Sequence, residues 1–281
     1  MSAVGIAGDD ATPEAVDGIR TKLGLDQPIH VQFGIYAANL LRGDLGTSIF
    51  SNLPVLTLVK QRLEPTLVLA ASTLVMAVLL AIPMGVLAAW KARTLIDRVV
   101  MGFSVLGFAV PGFLVGYLLI YVFAIELKWL PVQGYRPLSQ GIDQTARSII
   151  LPALALSMAY MALIARMTRA SMLDVLSQDY IRTAKAKGVA TLIVLLRHAL
   201  KNAAVPIVTV IGIGLTLLIS GVVITETVFN IPGLGRLTVD AILKRDYPII
   251  QGLIILFAGA KVLVNLLIDI SYVFFDPRIR Y

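Results

Sequence analysis

The sequence predicts an all-α, polytopic transmembrane helical bundle, and three observations carry that expectation. Hydrophobic residues make up 58% of the 281 residues and charged residues only 15%, whereas a soluble domain of this length carries about a quarter charged residues. The mean hydropathy is +0.86. Finally, apolar stretches of the length needed to cross a hydrocarbon core of about 30 Å recur five times. Inside lipid each such stretch must satisfy its own backbone hydrogen bonds, so each is expected to be a helix.

The five predicted spans are 66–90, 99–125, 148–165, 203–225 and 247–275. The first four contain no charged residue, and the fifth is apolar except for Lys261 and Asp269. Pro83, Pro111, Pro152 and Pro206 interrupt them. Membrane helices tolerate proline where neighbours satisfy the freed carbonyls, and proline often marks a kink. Residues 1–64 form a polar segment ahead of the membrane-spanning body expected at 65–281. That segment opens with a helix-start signal at Thr12-Pro13-Glu14.

Lysine and arginine set the expected orientation. Segments 91–98, 166–202 and the tail after 275 hold twelve basic residues in a little over fifty positions. Segments 1–65, 126–147 and 226–246 hold eleven basic residues in about twice that length, opposed by twelve acidic ones. The first set is therefore expected in the cytoplasm, with the carboxyl terminus inside. The amino terminus then falls outside, and a polar segment of that length needs a span to lead it across. The sequence accordingly predicts either a further apolar span upstream of Met1 or a protein of five spans whose amino-terminal segment crosses without one.

Composition also excludes chemistry. There is no cysteine, so disulfides and thiolate catalysis are out. His30 and His198 are the two histidines, and no zinc-type ligand spacing occurs. The net charge of +7 does not point to nucleic acid, because the basic residues cluster in loops between spans. The first ten residues have neither a basic nor an apolar signal-peptide region. No G-x-x-x-x-G-K-[ST] phosphate loop, H-E-x-x-H pair or G-x-S-x-G elbow is present. No nucleophile and base can be paired, so an enzyme reading has no support, and neither cofactor nor metal is expected in this chain.

The loop from Arg166 to Lys201 is the strongest functional feature. Helix formers dominate from Arg166 to Lys187, and Leu173, Leu176, Tyr180 and Ala184 define one face. Gly188 permits a turn, and Thr191 to Ala199 reads as a second short helix with Leu192, Leu195 and Leu196 on one side. The pattern supports two readings equally: a knob that docks on a partner, or an amphipathic segment held by anionic lipid.

The string Y-I-R-T-A-K-A-K-G, followed by R-H-A-L-K-N-A-x-x-P, resembles the cytoplasmic coupling loop of binding-protein-dependent ABC importer permeases. That loop's pattern is E-A-A-x-x-x-G, then nine residues and I-x-L-P. Ala184, Gly188 and Leu200 match it, whereas Arg182, Thr183, His198 and Lys201 depart from it. The departures resemble those of the first permease in the dipeptide, oligopeptide and nickel branch. Segments 23–33, 40–48, 226–237, 245–252 and 276–281 resemble other parts of that branch, in the same order. The family has six spans, beginning with one ahead of the external segment, and a type I importer permease fold.

The resemblance implies a translocation path for peptides, or for nickel or another small solute, in the inner membrane. It implies a second homologous permease, two cytoplasmic ATPase subunits holding ATP and Mg, and an external solute-binding protein. It further implies that Ala184, Lys185, Lys187, Gly188, Leu192 and Leu200 meet the ATPase. The rival from another class is a stand-alone secondary transporter or channel, which Lys261 and Asp269 favour.

Three further features keep two readings each. Lys261, Asn265 and Asp269 recur every four residues along one face of the last span. They line a translocation path or subunit contact, or they snorkel to headgroups. Pro111-Gly112 is either a gating hinge or a static kink. Ile231-Pro232-Gly233-Leu234-Gly235 is a re-entrant turn facing the binding protein or a helix-end cap.

Overall fold

The computed structural model describes residues 12–13 and 26–275, with side chains except at 219, 220 and 271–275. Glu14 of the helix-start signal, residues 23–25, and the tail 276–281 lie outside the described residues. Helices dominate throughout, and the single β-bridge joins Thr47 to Pro54 among the described residues.

The helices, in chain order, are α1 (Ile29–Leu41), α2 (Val55–Trp90), α3 (Leu95–Ala109) and α4 (Gly112–Leu119, widening to π-helical turns over Ile120–Glu126). After a loop come α5 (Ile142–Leu176), α6 (Asp179–Ala186) and α7 (Thr191–Ile193, π-helical over Val194–Leu200). The chain ends with α8 (Ala204–Val228), α9 (Leu234–Lys244) and α10 (Tyr247–Phe275).

All five expected spans are helical, but two depart from a straight crossing. α2, α5 and α10 are long and apolar enough to cross a membrane alone. The span expected at 99–125 is bent by 106° where α3 meets α4. Val110 is extended there, with φ −89° and ψ 123°, which is the conformation that a following proline imposes. The second bend, 64°, lies between α7 and the start of α8. Pro206 sits in the first turn of α8, where its missing N–H would be unpaired anyway. By contrast, α2 and α5 run on through Pro65, Pro83 and Pro152.

α2 and α5 also outrun their apolar stretches. α2 has 36 residues, about 54 Å at 1.5 Å per residue, and it begins eleven residues before Thr66. α5 continues to Leu176, so the loop expected from Arg166 starts as the end of a membrane helix. Helix formers such as Met172 and Leu173 carry it past the apolar boundary.

α5 is the hub. About two-thirds of its apolar window is buried (67%), against 22% for α2 and 6% for α10. On α2 the buried positions Pro65, Leu69, Thr73, Ala77, Ala81 and Gly85 recur every four residues and form a narrow stripe. Most are small, and small residues let helix backbones approach closely where lipid offers no hydrophobic drive between helices. A Cβ on Gly85 would stand 2.5 Å from the Thr168 Cβ and 2.6 Å from the Ala165 carbonyl oxygen. α3 meets α5 in the same way at Gly107, where a Cβ would lie 2.9 Å from the Ala162 Cβ. α8 does so at Gly221, 2.7 Å from a Leu156 methyl.

The Gly85 contact is testable. Gly85→Val should lower the melting temperature of the detergent-purified protein, with a loss of about 1–3 kcal/mol from overpacking. Gly34→Val, which meets nothing within 4 Å, serves as the control. Equal melting of Gly85→Val and wild type would contradict the close α2–α5 approach.

Candidate functional site

The bundle has two differently furnished ends. At one end, the α2–α3 turn, the end of α5 and the α6–α7 knob come together. At the other, the strand-like stretch 43–54, the loop 127–141 and the α8–α9–α10 corner come together.

The knob grows out of α5. Ser177 and Gln178 end that helix, and Gln178 leads into α6 in an extended conformation. α6 therefore does not continue the α5 face, and the stripe expected from Leu173 to Ala184 is split over two helices. Gly188 turns the chain at φ +77°, a region where side chains are strained and glycine is not. The knob is fixed by an apolar cluster of Met172, Ile181, Val194, Leu195, Ala199 and Ala203, which meets Val86 and Ala89 of α2 and Ile207 of α8. Asn202 adds a polar tie: its amide donates to the Tyr180 hydroxyl at 2.9 Å and to the His198 carbonyl at 2.7 Å.

The candidate coupling residues divide between surface and interior. Lys185, Lys187, Gly188 and Leu192 are exposed, with Leu192 at 66%. Ala184 and Leu200 are half-buried and pack against the cluster beneath. Leu195, expected beside Leu192 and Leu196, is buried while those two stay exposed. The π-helical turns over Val194–Leu200 shift the register from the simple α-helical pattern. Exposed Tyr180 and Ile193 join Leu192 and Leu196 on the knob surface, interspersed with Arg182, Lys185 and Lys187.

A part-buried ion pair braces this end. Arg169 donates to Asp97 through Nε at 2.5 Å and Nη2 at 2.8 Å. The Arg93 backbone N–H also donates to Asp97 Oδ2, at 2.8 Å. Asp97 is 5% exposed. A paired, fully hydrogen-bonded carboxylate is what makes such burial tolerable. The pair joins segment 91–98 to the 166–202 side, so the two most basic loops lie at one end, as the charge pattern expects.

The opposite end is held by a buried carboxylate that the sequence reading did not single out. Glu226, at the end of α8, is fully buried. Thr66 donates to Oε1 at 2.6 Å, and the Arg236 N–H donates to Oε2 at 2.9 Å. The Leu234 N–H in turn donates to Thr66 Oγ1 at 2.8 Å. Glu226 thereby clamps α2, α8 and α9 together. The segment Ile231–Gly235 wraps this carboxylate: Ile231 is fully buried, and a Cβ on Gly233 would overlap the Glu226 side chain. The signal legible in sequence was the pair of glycines seven and nine residues after an acid at a span end.

Further ties complete that end. Ser48 donates to Asp246 at 2.6 Å. Glu64 accepts from the Tyr135 hydroxyl and from the Leu138 N–H, both at 2.8 Å. Burial, then that hydrogen bond, pushes the Tyr135 phenol up from its ordinary value, so it remains a donor.

The remaining candidates lie apart from both ends. Lys261, Asn265 and Asp269 are exposed on α10. Thr216 of α8 donates to Asn265 at 3.2 Å. Asn265 and Asp269 line a groove of about 360 Å³ between α8 and α10, which Lys261 does not line. Pro111 is exposed at the α3–α4 elbow.

A long-helix bundle with a braced, basic knob at one end and a clamped loop layer at the other defines a membrane transport subunit. Residues 81–281 match the family model described as "binding-protein-dependent transport system inner membrane component". The chain belongs to that family and is the membrane-spanning permease subunit of an ABC importer, a multi-pass protein of the inner membrane. It is 53% identical to a probable peptide ABC transporter permease protein, y4tP, of Sinorhizobium fredii, over 98% of this chain and 88% of the relative. It is 44% identical to the glutathione transport system permease protein GsiC of Escherichia coli, over the same shares. Its fold is similar to that of the inward-facing MetNI methionine ABC transporter, with a TM-score of 0.65 at 16% identity, over 79% of this chain and 97% of that one.

The Glu226 clamp gives a second prediction. Gly233→Ala should loosen the α8–α9 corner, costing about 1–3 kcal/mol. Hydrogen exchange should rise in α9 and around Thr66 and stay unchanged in α6. Unchanged exchange in α9 would contradict the clamp.

Proposed function

We propose that this chain forms, with a second homologous permease, the path by which peptides enter the cytoplasm. Two cytoplasmic ATPase subunits with ATP and Mg drive it, and an external solute-binding protein delivers the cargo. The chain itself performs no catalysis. The observation that carries the coupling reading is the α6–Gly188–α7 knob: an exposed basic and apolar surface seated on a buried cluster shared by α2, α5 and α8. Movement imposed on this knob reaches the bundle, because Met172, Ile181 and Val194 are fully packed against those helices.

In this reading the knob end is cytoplasmic and the Glu226 end faces outward. Lys185 and Lys187 meet acidic groups of the ATPase, Leu192 supplies an apolar contact, and Gly188 allows close approach. Ala184 and Leu200 hold the knob's shape from inside. Asn265 and Asp269 face either the path or the second permease across the α8–α10 groove. Two relatives named for peptide and for glutathione transport support a peptide substrate.

The test uses the assembled transporter in proteoliposomes. Gly188→Trp places a bulky side chain at an exposed, left-handed position. ATP-dependent peptide uptake is expected to fall at least about tenfold, and co-purification of the ATPase subunits to weaken, through lost interface packing. Unchanged uptake and co-purification would contradict the docking role. Uptake that proceeds without ATPase subunits would instead establish a secondary transporter.

A further inference from the structure

A polar pocket of about 420 Å³ opens at the end of the bundle opposite the knob. Gln133, Tyr135 and Arg136 of the 127–141 loop and Gln144, Arg147 and Ser148 of α5 line it, and no acidic residue does. We propose that this pocket is a docking socket for a carboxylate-bearing loop of the solute-binding protein. The proposal rests on the importer reading above and names a contact surface for its external partner.

The socket is built on a rigid frame. The Gly134 N–H donates to the Phe229 carbonyl at 2.9 Å, which pins the loop to the end of α8. Tyr135 is held by Glu64 of α2, and the Arg136 N–H donates to Ser148 Oγ of α5 at 3.3 Å. Three helices thus fix the backbone from which Arg136 projects, which lowers the ordering cost of binding.

The charges in the socket are available. The Arg136 guanidinium makes no ion pair or hydrogen bond among the described residues. Arg147 pairs with Asp143 at 3.5 Å, with both side chains mostly exposed. Exposed pairs of this kind hold weakly, so Arg147 can turn to a better-placed anion. Glu64, the other acid of this corner, is engaged by Tyr135 and Leu138. Two guanidiniums with two side-chain amides select a carboxylate, which accepts several hydrogen bonds at once. The socket lies beside the α8–α9 corner, so a docked loop adjoins the Glu226 clamp.

The experiment titrates substrate-loaded binding protein against the complete transporter in nanodiscs, reading stimulated ATPase activity at several salt concentrations. For Arg136→Gln combined with Arg147→Gln, the half-maximal concentration should rise about tenfold at low salt. Its salt dependence should flatten, and the maximal rate and basal ATPase should stay unchanged. Replacing both arginines by glutamate should weaken docking further. A wild type that responds while the double variant matches it overturns the socket alone. A variant that changes the maximal rate but not the half-maximal concentration also overturns it. A wild-type complex whose ATPase ignores the binding protein overturns the importer reading and the socket with it.

Discussion

The close contact of α2 with α5 is the constraint on which the rest of the molecule depends. In lipid, two apolar helices gain nothing from leaving water, so association rests on packing and on short backbone approach. The α2 stripe from Leu69 to Gly85 supplies that approach. Once α5 is seated, α3 and α8 pack on its other faces through Gly107 and Gly221. α10 joins through α8, where a Cβ on Gly212 would stand 2.7 Å from Ile268. The most buried helix is therefore also the one from which the knob grows.

That arrangement gives both ends of the bundle a lever. Toward the knob, the Arg169–Asp97 pair and the Ile181–Val194 cluster make α5, the α2–α3 turn and the knob one body. Toward the other end, Glu226 ties α2 to α8 and α9. Both carboxylates are buried, and each accepts from a side chain of α2 or α5. In the proposed reading, a displacement of the knob reaches α2 through the packing of Met172, Ile181 and Val194 in one cluster with Val86 and Ala89.

Much of this was legible in the sequence. The helical class and five apolar segments follow from the apolar runs, and α10 begins at Tyr247, where the expected span begins. The charge count placed 91–98 and 166–202 together, and Asp97–Arg169 joins them. Three features were not legible. α2 and α5 overrun their apolar runs, because helix propensity does not stop where hydropathy falls. α9 hides in a polar stretch, and its apolar face, including Leu234 and Leu237, is evident only beside Val55 and Val59 of α2 and Ile249 and Leu253 of α10. Glu226 reads as an ordinary span-end acid until Thr66, 160 positions away, is seen against it. The helix–Gly188–helix outline of the knob is legible in the sequence, but the break at Ser177–Gln178 carries no glycine or proline to announce it.

The most direct measurement is thiol labelling of a Lys187→Cys variant in membrane vesicles of both orientations. The chain has no native cysteine, so the label reports on the knob alone. With a membrane-impermeant maleimide, labelling is expected only in inside-out vesicles, and only after the ATPase subunits have been stripped away. Labelling from right-side-out vesicles, or labelling in inside-out vesicles that is indifferent to the ATPase subunits, would contradict a cytoplasmic knob that couples ATP to transport.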